Sequence, residues 1–444
     1  MFYNNVLEKF LLPAGDKLLN TNFIKELHWW KEVAKLSPLQ IQNLQQERLS
    51  QILKHATTSV PYYKKLNISL GEDAYEDIKK FPLLTKHSLR DNASEMFWGS
   101  SKKLIVEKSS GSSGLQTQVY MSKKENAQSQ AALIFLWEKC GYKLGDKITQ
   151  TGITPNRGFI KSVKDFILRT TYVNAYDLSE ENLCKYLCKA KKENHQFLAG
   201  FAASLNALAK VALANNIKVD FKAIISWGDK LFDHYKTNIL QAFNNPFITE
   251  LYGSTEGFVI SGSCIYGNHH VMSPHVYLEL LDKNGNPAKP GELGFVVITR
   301  LDAYHFPLIR YYLGDLATKA INDACKCGSN FPFLQKIVGR DTDVIQTLSG
   351  KDLIVHFFTG TFEHFQQILQ YRILQKELGK IEIEYIPAAS FSMDILLRIE
   401  QIMFQKANEV FPVTWRQVKE ISPTKSGKPQ IIQNFIAPKP ANFY

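Results

Sequence analysis

Serine and glycine residues form a continuous run about a quarter of the way along the chain. The run is Ser109-Ser110-Gly111-Ser112-Ser113-Gly114. Glycine lets backbone N–H groups turn toward one point, and serine hydroxyls add donors, so such a loop can hold a phosphate chain. The Walker pattern G-x-x-x-x-G-K-[ST] is absent, because Gly114 is followed by Leu115-Gln116-Thr117. Taken alone, the run fits a phosphate-binding loop and a structural hairpin equally well.

Further stretches carry hydroxyl, carboxylate, guanidinium and amino groups that could contact a bound nucleotide. They are YGSTEG (252–257), FPLIRYYLGD (306–315), VGRDTDVI (338–345) and SPTKSGK (422–428). Their order and spacing resemble those of the adenylate-forming enzymes, the superfamily of acyl-CoA ligases and adenylation domains. In that family a Ser/Thr/Gly loop precedes Y-G-x-T-E, P-L-x-R-Y-x-x-G-D, G-R-x-D-D and a C-terminal S-G-K.

The chain length and two N-terminal segments are most similar to one branch of this superfamily. The segments are HATTSVPYY (55–63) and FPLLTK (81–86). They resemble the phenylacetate-CoA ligase branch, which includes capsule-locus relatives. The resemblance implies that a carboxylate attacks the α-phosphorus of ATP and releases pyrophosphate. Because both reactants are anionic, such a site must neutralise charge and hold the reacting atoms in place, which Mg²⁺ and cationic side chains can do.

The resemblance assigns roles to the groups nearest the phosphates. The Ser/Gly run at 109–114 would hold the β- and γ-phosphates, and Thr255 would contact the α-phosphate. Glu256 would help to bind Mg²⁺. Lys428 would lie against the α-phosphate and the carboxylate oxygen in the transition state. These residues are the expected catalytic groups.

The resemblance also predicts the contacts of the nucleoside. Tyr252 would stack on adenine, Asp315 would accept both ribose hydroxyls, and Arg340 would donate to the same sugar. The remaining residues that it places around the nucleotide are Gly228, Asp229, Leu251, Gly253 and Ser254.

Each of these residues also has an ordinary structural interpretation. Asp315 follows a glycine and could cap a turn, and Tyr252 could be a core aromatic. Glu256 could be an exposed loop acid, Arg340 a surface salt-bridge partner, and Lys428 a surface cation. Five motifs in the expected order favour the nucleotide site over these separate explanations.

Cysteines and histidines form a second group, in CIYGNHH (264–270) and CKCG (325–328). Zinc accepts a Cys₃His set in tetrahedral geometry. The C-x-C spacing is tighter than the usual C-x-x-C, so reduced cysteines with surface histidines remain the alternative. Relatives in the phenylacetate-CoA ligase branch carry zinc at a corresponding place. The resemblance therefore implies a closed, structural zinc site at Cys264, His270, Cys325 and Cys327, with His269 as the substitute for His270.

Composition and charge limit which partners and which compartment can be expected. The chain has 444 residues, a net charge of +11 and a pI near 9.1. A basic surface can favour nucleic acid, anionic lipid or phosphorylated ligands, but the charges are scattered, and nucleic-acid binding would leave the motifs unexplained. The N-terminus lacks the pattern of a signal peptide, and no apolar stretch reaches the roughly 20 residues of a membrane span. We expect a cytoplasmic protein without a membrane span or a nucleic-acid partner.

The motifs lie far apart in the sequence, and the local sequence patterns predict the helices and strands that would bring them together. Residues 1–100 are predicted to be mainly helical, and strands at 102–109 and 117–122 flank the Ser/Gly run as a hairpin. Strands followed by helices between residues 125 and 257 predict α/β architecture. Strands at 275–299 surround an Asn-Gly turn.

The pattern changes after residue 345. A strand at 380–386, a helix at 392–407 and a strand at 413–421 predict a β-α-β unit. We therefore expect an α/β fold with a large AMP-binding domain at 1–343, made of mixed sheets and helices. A small, mobile α+β domain at 344–444 would carry Lys428. Asp343 is the hinge that the resemblance implies, because Lys428 must close on a nucleotide held by the large domain.

The predicted function is activation of a small-molecule carboxylic acid by ATP, followed by transfer to coenzyme A. Alternative acceptors are an amine, a hydroxyl or a carrier-protein thiol, and a third hypothesis is a non-catalytic homologue that acts as a binding protein. The acid would lie between the helix at 125–142 and the segments 151–159 and 226–256. Phe135, Trp137 and Trp227 could line this pocket or belong to the core.

Overall fold

The structure, a computed structural model, describes residues 2–108, 117–152, 157–175, 177–340, 344–362, 364–422 and 431–436. The N-terminal region is helical, as predicted. Its α-helices are α1 Phe2–Val6, α2 Leu12–Leu19, α3 Phe23–Val33, α4 Pro38–Ser59, α5 Pro61–Lys64, α6 Ala74–Asp77 and α7 Lys86–Asn92. A π-helical turn, Leu7–Leu11, joins α1 to α2.

Helix α4 illustrates how local sequence sets the boundaries of these helices. Ser37 and Gln40 form a reciprocal capping box, and Pro38 occupies the first turn, where a missing N–H costs nothing. The helix ends just before Pro61, because the residue preceding a proline is driven out of the helical region. Its apolar face buries Leu49 and Ile52 in the core.

The predicted hairpin around the Ser/Gly run is confirmed. Strands β1, Ile105–Lys108, and β2, Gln118–Met121, pair antiparallel. The run at 109–114 lies outside the described residues, so its contact with phosphate stays a prediction.

One half of a large sheet is parallel and is covered by helices. Its strands are β3 Ile148–Gly152, β4 Thr170–Asn174, β5 Phe197–Phe201, β6 Ala223–Trp227 and β7 Phe247–Ser254. The accompanying helices are α8 Lys123–Lys139, α9 Gly158–Ile167, α10 Glu180–Glu193, α11 Ala202–Ala214 and α12 Asp233–Ala242. Apolar clusters fill both faces, as parallel sheets require.

The other half of the same sheet is antiparallel. Its strands are β8 Phe258–Ser263, β9 His269–Val271, β10 Val276–Leu281, β11 Leu293–Arg300, β12 Tyr311–Lys319 and β13 Phe333–Arg340. Strand β7 joins the two halves, since it pairs parallel with β6 and antiparallel with β8. The strand order within the described residues is β10-β11-β12-β13-β9-β8-β7-β6-β5-β3-β4.

The C-terminal part has its own sheet and core. Its elements are β14 Val344–Gln346, β15 Asp352–Ile354, α13 Val355–Phe362, β16 Ile368–Gln375, β17 Ile381–Pro387, α14 Asp394–Ala407, β18 Val413–Gln417 and β19 Ile432–Asn434. Strands β17 and β18 are parallel and are joined through α14, which confirms the predicted β-α-β unit. Phe232, from the segment before α12, also packs into this core. The division at residues 343 and 344 stays a prediction.

Helices in the described part of the chain are too short or too polar to cross a bilayer. The mixed architecture, with its separate C-terminal sheet, agrees with the expected fold class.

Candidate active site

The YGSTEG stretch occupies the junction between the two halves of the large sheet. Tyr252, Gly253 and Ser254 end β7, and a tight turn leads directly into β8. A Cβ atom on Gly253 would lie 2.1 Å from the carbonyl oxygen of Phe258, so only glycine fits there. Phe258 itself has a φ of 56°, which is costly for a bulky residue. The turn is therefore held in one shape by its close approach to β8.

Glu256 is the centre of the first group of contacts. Its carboxylate is buried, and its Oε1 accepts hydrogen bonds from the Thr117 hydroxyl at 2.7 Å and the Tyr311 hydroxyl at 3.0 Å. Thr117 follows the segment that contains the Ser/Gly run, and Tyr311 begins β12. Burial raises the pKa of Tyr311, and the Glu256 carboxylate raises it further, so the phenol remains a donor. These contacts place an anionic group beside the end of the hairpin.

Tyr252, Asp315 and Arg340 form the second group. The Tyr252 hydroxyl donates to Asp315 Oδ2 at 2.7 Å, and Arg340 Nε lies 2.9 Å from Asp315 Oδ1. Asp315 and Arg340 are direct partners in the β12–β13 register. Burial raises the pKa of the Tyr252 phenol, and the neighbouring Asp315 carboxylate raises it further. The Tyr252 ring packs against the core, while its hydroxyl is engaged with Asp315.

The remaining residues expected around the nucleotide lie at the same edge of the sheet or just beneath it. Gly228 has a φ of 83°, and a Cβ there would lie 2.4 Å from the Phe201 ring. The Asp229 carboxylate accepts hydrogen bonds from the backbone N–H groups of Ala202 and Ala203, at 2.7 and 3.1 Å. It thus caps the N-terminus of α11. Leu251 is buried in the core.

Aromatic residues of the predicted acid pocket have different surroundings. Phe135 stacks on Trp30, with ring centroids 5.5 Å apart, and belongs to the core. Trp137 stacks on the partly exposed Trp227, with centroids 5.7 Å apart and planes 15° from parallel. The indole N–H of Trp137 is buried without a hydrogen-bond partner in the described part of the chain. Trp227 ends β6 and is the aromatic of this group that solvent reaches.

A buried ionic network supports the turn from below, and the sequence did not single it out. His275 Nδ1 lies 2.6 Å from Asp302 Oδ2, and its Nε2 lies 3.3 Å from the carbonyl oxygen of Gly257. Arg300, only 1% exposed, donates through Nε and Nη2 to Asp302 Oδ1 and through Nη2 to Ser129 on α8. Burial raises the pKa of Asp302, but the charges of Arg300 and His275 more than offset this and hold the pKa below its usual range. An arginine and an aspartate two residues apart, at the end of the apolar strand β11, were the available signal.

The cysteine and histidine residues predicted to bind metal lie together. The ligand atoms of Cys264, His270, Cys325 and Cys327 all lie within 4.8 Å of one another. His269 is excluded from the cluster, because its Nδ1 faces the Ser261 hydroxyl. Among the two candidate histidines, the geometry favours His270.

Besides the Ser/Gly run at 109–114, two further predicted functional residues lie outside the described part of the chain. They are Lys428 and the hinge residue Asp343. Thr255 and Ser254 lie in the described turn, where the Ser254 hydroxyl accepts a hydrogen bond from the Gly257 N–H at 2.9 Å.

The fold and these motifs together are similar to those of the adenylate-forming superfamily. The chain matches no protein-family model. Among solved structures, it is similar to 2-hydroxyisobutyryl-CoA ligase in complex with 2-HIB-AMP, with a TM-score of 0.67, 16% identity and coverage of 87% of this chain and 88% of that one. It is also similar to the ATP-bound RpMatB-BxBclM chimera B1, with a TM-score of 0.55, 14% identity and coverage of 77% and 71%.

In sequence, the chain is similar to a phenylacetate-CoA ligase. It is 24% identical over 355 residues to the phenylacetate-coenzyme A ligase of Thermus thermophilus, which covers 71% of this chain and 73% of that protein. These similarities confirm the predicted resemblance and the predicted fold class.

Asp302 should be essential for stability, because its removal leaves the buried Arg300 guanidinium without its counterion and His275 Nδ1 without its hydrogen-bond partner. We expect Asp302→Asn to cost about 3–5 kcal/mol and to lower the melting temperature by several degrees. The control Asp220→Asn, at an exposed acid, should change little. Because the native pKa of Asp302 is depressed, its contribution is complete above the pKa of an unfolded aspartate, about 3.9, and is lost as the pH falls below it. Equal melting temperatures for the two variants at pH 7 would contradict this role.

Proposed function

We propose that this chain uses ATP to convert a carboxylic acid to an acyl-adenylate and then transfers the acyl group to coenzyme A. In the first step a carboxylate oxygen bonds to the α-phosphorus of ATP, and the bond to pyrophosphate breaks. In the second step a thiol attacks the acyl carbon, AMP leaves, and the thiol proton passes to solvent or a base. The placement of Asp315, Arg340, Tyr252 and Glu256 around the end of β7 is the observation that supports this proposal most strongly.

Asp315 and Arg340 suit the recognition of a ribose. A carboxylate can accept from two neighbouring hydroxyls, while a guanidinium beside it donates to the sugar oxygens. The Arg340 side chain is 37% exposed and can reach a ligand. The Tyr252 hydroxyl orients the Asp315 carboxylate by donating a hydrogen bond to its Oδ2. The hydroxyl of Tyr252 is thus engaged with the acid, and its ring remains the proposed surface for adenine.

Glu256 is the residue that would hold Mg²⁺. A hard cation prefers oxygen ligands, and Thr117 and Tyr311 orient this carboxylate through a single oxygen, Oε1. Bound Mg²⁺ would neutralise charge on the phosphates. Thr117 also links this position to the end of the Ser/Gly run, which we propose holds the β- and γ-phosphates.

Lys428 would supply the cation at the reacting phosphorus. It belongs to the C-terminal part, so we propose that this part closes about Asp343 for adenylation and then turns to admit the acceptor. Coenzyme A is the acceptor that the relationship to the Thermus ligase favours. The fold itself serves other acceptors as well, since an amide bond synthetase, McbA from Marinactinospora thermotolerans, shares it with a TM-score of 0.54.

We further propose that Cys264, His270, Cys325 and Cys327 hold a structural Zn²⁺. Tetrahedral zinc with bonds of about 2.3 Å to sulfur sets neighbouring sulfurs roughly 3.8 Å apart, and the Cys264 and Cys325 sulfurs are 3.7 Å apart. His270 Nδ1 lies 3.1 Å from the carbonyl oxygen of Phe331, which leaves Nε2 free to ligate, 3.1 Å from the Cys327 sulfur.

The zinc site would be closed, because all four ligands are protein side chains, and its role would be structural and not catalytic. Asn268 donates to the Cys325 sulfur at 3.2 Å, a contact typical of a thiolate ligand. The site would tie the segment between β8 and β9 to the segment between β12 and β13. It would therefore brace the β9–β13 pairing, which is short in the described register.

ATP–pyrophosphate exchange with a panel of carboxylic acids tests the proposed activity. One class of acid should support exchange, and adding coenzyme A should give a thioester. Lys428→Ala should lower exchange by about 10²–10³-fold but spare transfer from a supplied acyl-adenylate to the thiol. The control Lys425→Ala, in the same segment, should retain both reactions.

The outcomes of that experiment are distinct. Absence of exchange with every acid, in protein that binds ATP, would support the non-catalytic homologue. Exchange without thioester formation would point to an amine, hydroxyl or carrier-protein acceptor. Equal loss of both reactions in Lys428→Ala would contradict the two-conformation scheme.

Asp315→Asn should weaken nucleotide binding selectively. The amide cannot replace a charged acceptor for two hydroxyls, so we expect the KM for ATP to rise about 10- to 100-fold. The KM for the acid should change little. Asp220→Asn provides the matched control. A variant in which only the KM for the acid rises would place Asp315 outside the ribose site.

Zinc content can be measured directly. Purified chain should contain one zinc ion per molecule by elemental analysis, and Cys325→Ser should lose it together with several degrees of thermal stability. Cys184→Ser, at a partly buried cysteine of α10, should keep the metal. Protein purified without chelators that contains no zinc would reject the site.

A further inference from the structure

Helix α9 presents its apolar residues to solvent. Phe159 is 84% exposed and Phe166 is 83% exposed, and Val163 between them is also exposed. Residues four and seven positions apart share one face of a helix, so these side chains form a single stripe that points away from the core. Large aromatic residues exposed in a row usually mark an interaction site.

The N-terminal helices expose a second set of apolar residues. Leu18 is 86% exposed and Phe10 is 68% exposed. The other exposed apolar residues of this segment are Phe2, Leu11 and Leu19.

Direct contacts hold the two segments side by side. The Tyr3 hydroxyl donates to the carbonyl oxygen of Ile167 at 2.6 Å, and the Arg169 guanidinium lies 3.8 Å from the centroid of the Tyr3 ring. We call the surface made by the exposed residues of 2–19 and 158–169 the amphipathic face.

Cations border this face, while its acids are turned to other partners. Lys9, Lys17, Lys161 and Lys164 are exposed, and none has a salt bridge within the described residues. The acids of the same segments are engaged elsewhere in the molecule. Glu8 pairs with Lys31, Asp16 accepts from the N–H groups of residues 23 and 24, and Asp165 pairs with Arg157.

We propose that the amphipathic face binds the surface of a bilayer that contains anionic phospholipids. An interfacial helix buries aromatic and leucine side chains at the boundary of the headgroups, and flanking lysines attract negative lipid. Both features occur together here. A second copy of the chain is a poorer occupant, because a twofold interface would bring the same lysine-bordered patch onto itself.

The position of the face gives this binding a consequence. Helix α9 lies between β3 and β4, on the crossover that begins at the carboxyl end of β3. Tyr252 lies near the carboxyl end of β7, in the same parallel set. Residues 2–19 contact α9 and the chain at the amino ends of β3 and β4, through Tyr3 to Ile167 and Asn4 to Asp146, so a bilayer on this face would leave the carboxyl edge that carries Tyr252 open. The binding itself does not depend on the proposed function.

Co-sedimentation of the full chain with vesicles tests the proposal. Vesicles of phosphatidylcholine with one third phosphatidylglycerol should bind the chain, pure phosphatidylcholine should bind it weakly, and high salt should reduce binding. Phe159→Ser combined with Phe166→Ser should lower the partition coefficient at least tenfold, roughly the effect of two lost apolar anchors. Met393→Ser with Leu397→Ser, at the N-cap and in the first turn of α14, where the residues are 68% and 63% exposed, is the matched control.

A double substitution of lysines separates the electrostatic contribution to vesicle binding from the apolar one. Lys161→Gln with Lys164→Gln should lower binding to the anionic vesicles about tenfold, whereas Lys191→Gln with Lys192→Gln on α10 should not. The proposal is overturned if the chain ignores anionic vesicles at low salt, or if both variant pairs bind like their controls. It is also overturned if light scattering shows an oligomer that the Phe159 and Phe166 substitutions dissociate, since the face is then an interface between copies.

Discussion

A single buried carboxylate, that of Glu256, connects three distant stretches of this chain. Thr117 follows the segment containing the Ser/Gly run, Glu256 lies in the turn after β7, and Tyr311 begins β12. A buried carboxylate without donors is strongly unfavourable, so the Thr117 and Tyr311 hydroxyls favour the arrangement in which the three stretches meet. The same requirement that stabilises the fold therefore assembles the candidate site. Beneath the turn, His275 and Asp302 hold the carbonyl oxygen of Gly257 in a comparable way.

The change of direction at β7 explains why the motifs converge although 63 positions separate Tyr252 from Asp315 and 139 separate Thr117 from Glu256. On one side of β7 the strands are parallel and end at a common edge, and on the other side they run antiparallel. The β12–β13 register sets Asp315 opposite Arg340 and brings the pair to Tyr252. Ligands bind at such edges in many α/β folds because backbone groups and loop residues are free there.

Much of this arrangement could be predicted from the sequence, and the failures have physical causes. The β1–β2 hairpin and the β17-α14-β18 unit follow from local alternation and turn residues. His269 and His270 could not be distinguished, because neighbouring residues in a strand point to opposite faces and only the fold decides which face meets the cysteines. Asp229 could not be assigned to the N-terminus of α11, nor His275 to Asp302, because those partners depend on packing between elements.

The segment after β6 links the candidate site to the C-terminal part, and this link constrains the proposed motion. Lys230 donates to the carbonyl oxygen of Val338 at 2.6 Å, two residues before Arg340, and Phe232 packs into the core of the C-terminal sheet. If the C-terminal part rotates about Asp343, Phe232 must therefore leave that core, and its side chain becomes exposed. Exposing one phenylalanine side chain costs about 1.5–3 kcal/mol, which is small enough for bound ligands to offset. The two conformations of the proposed cycle would then differ in the packing of Phe232 and Tyr235 and in the contacts that each ligand adds.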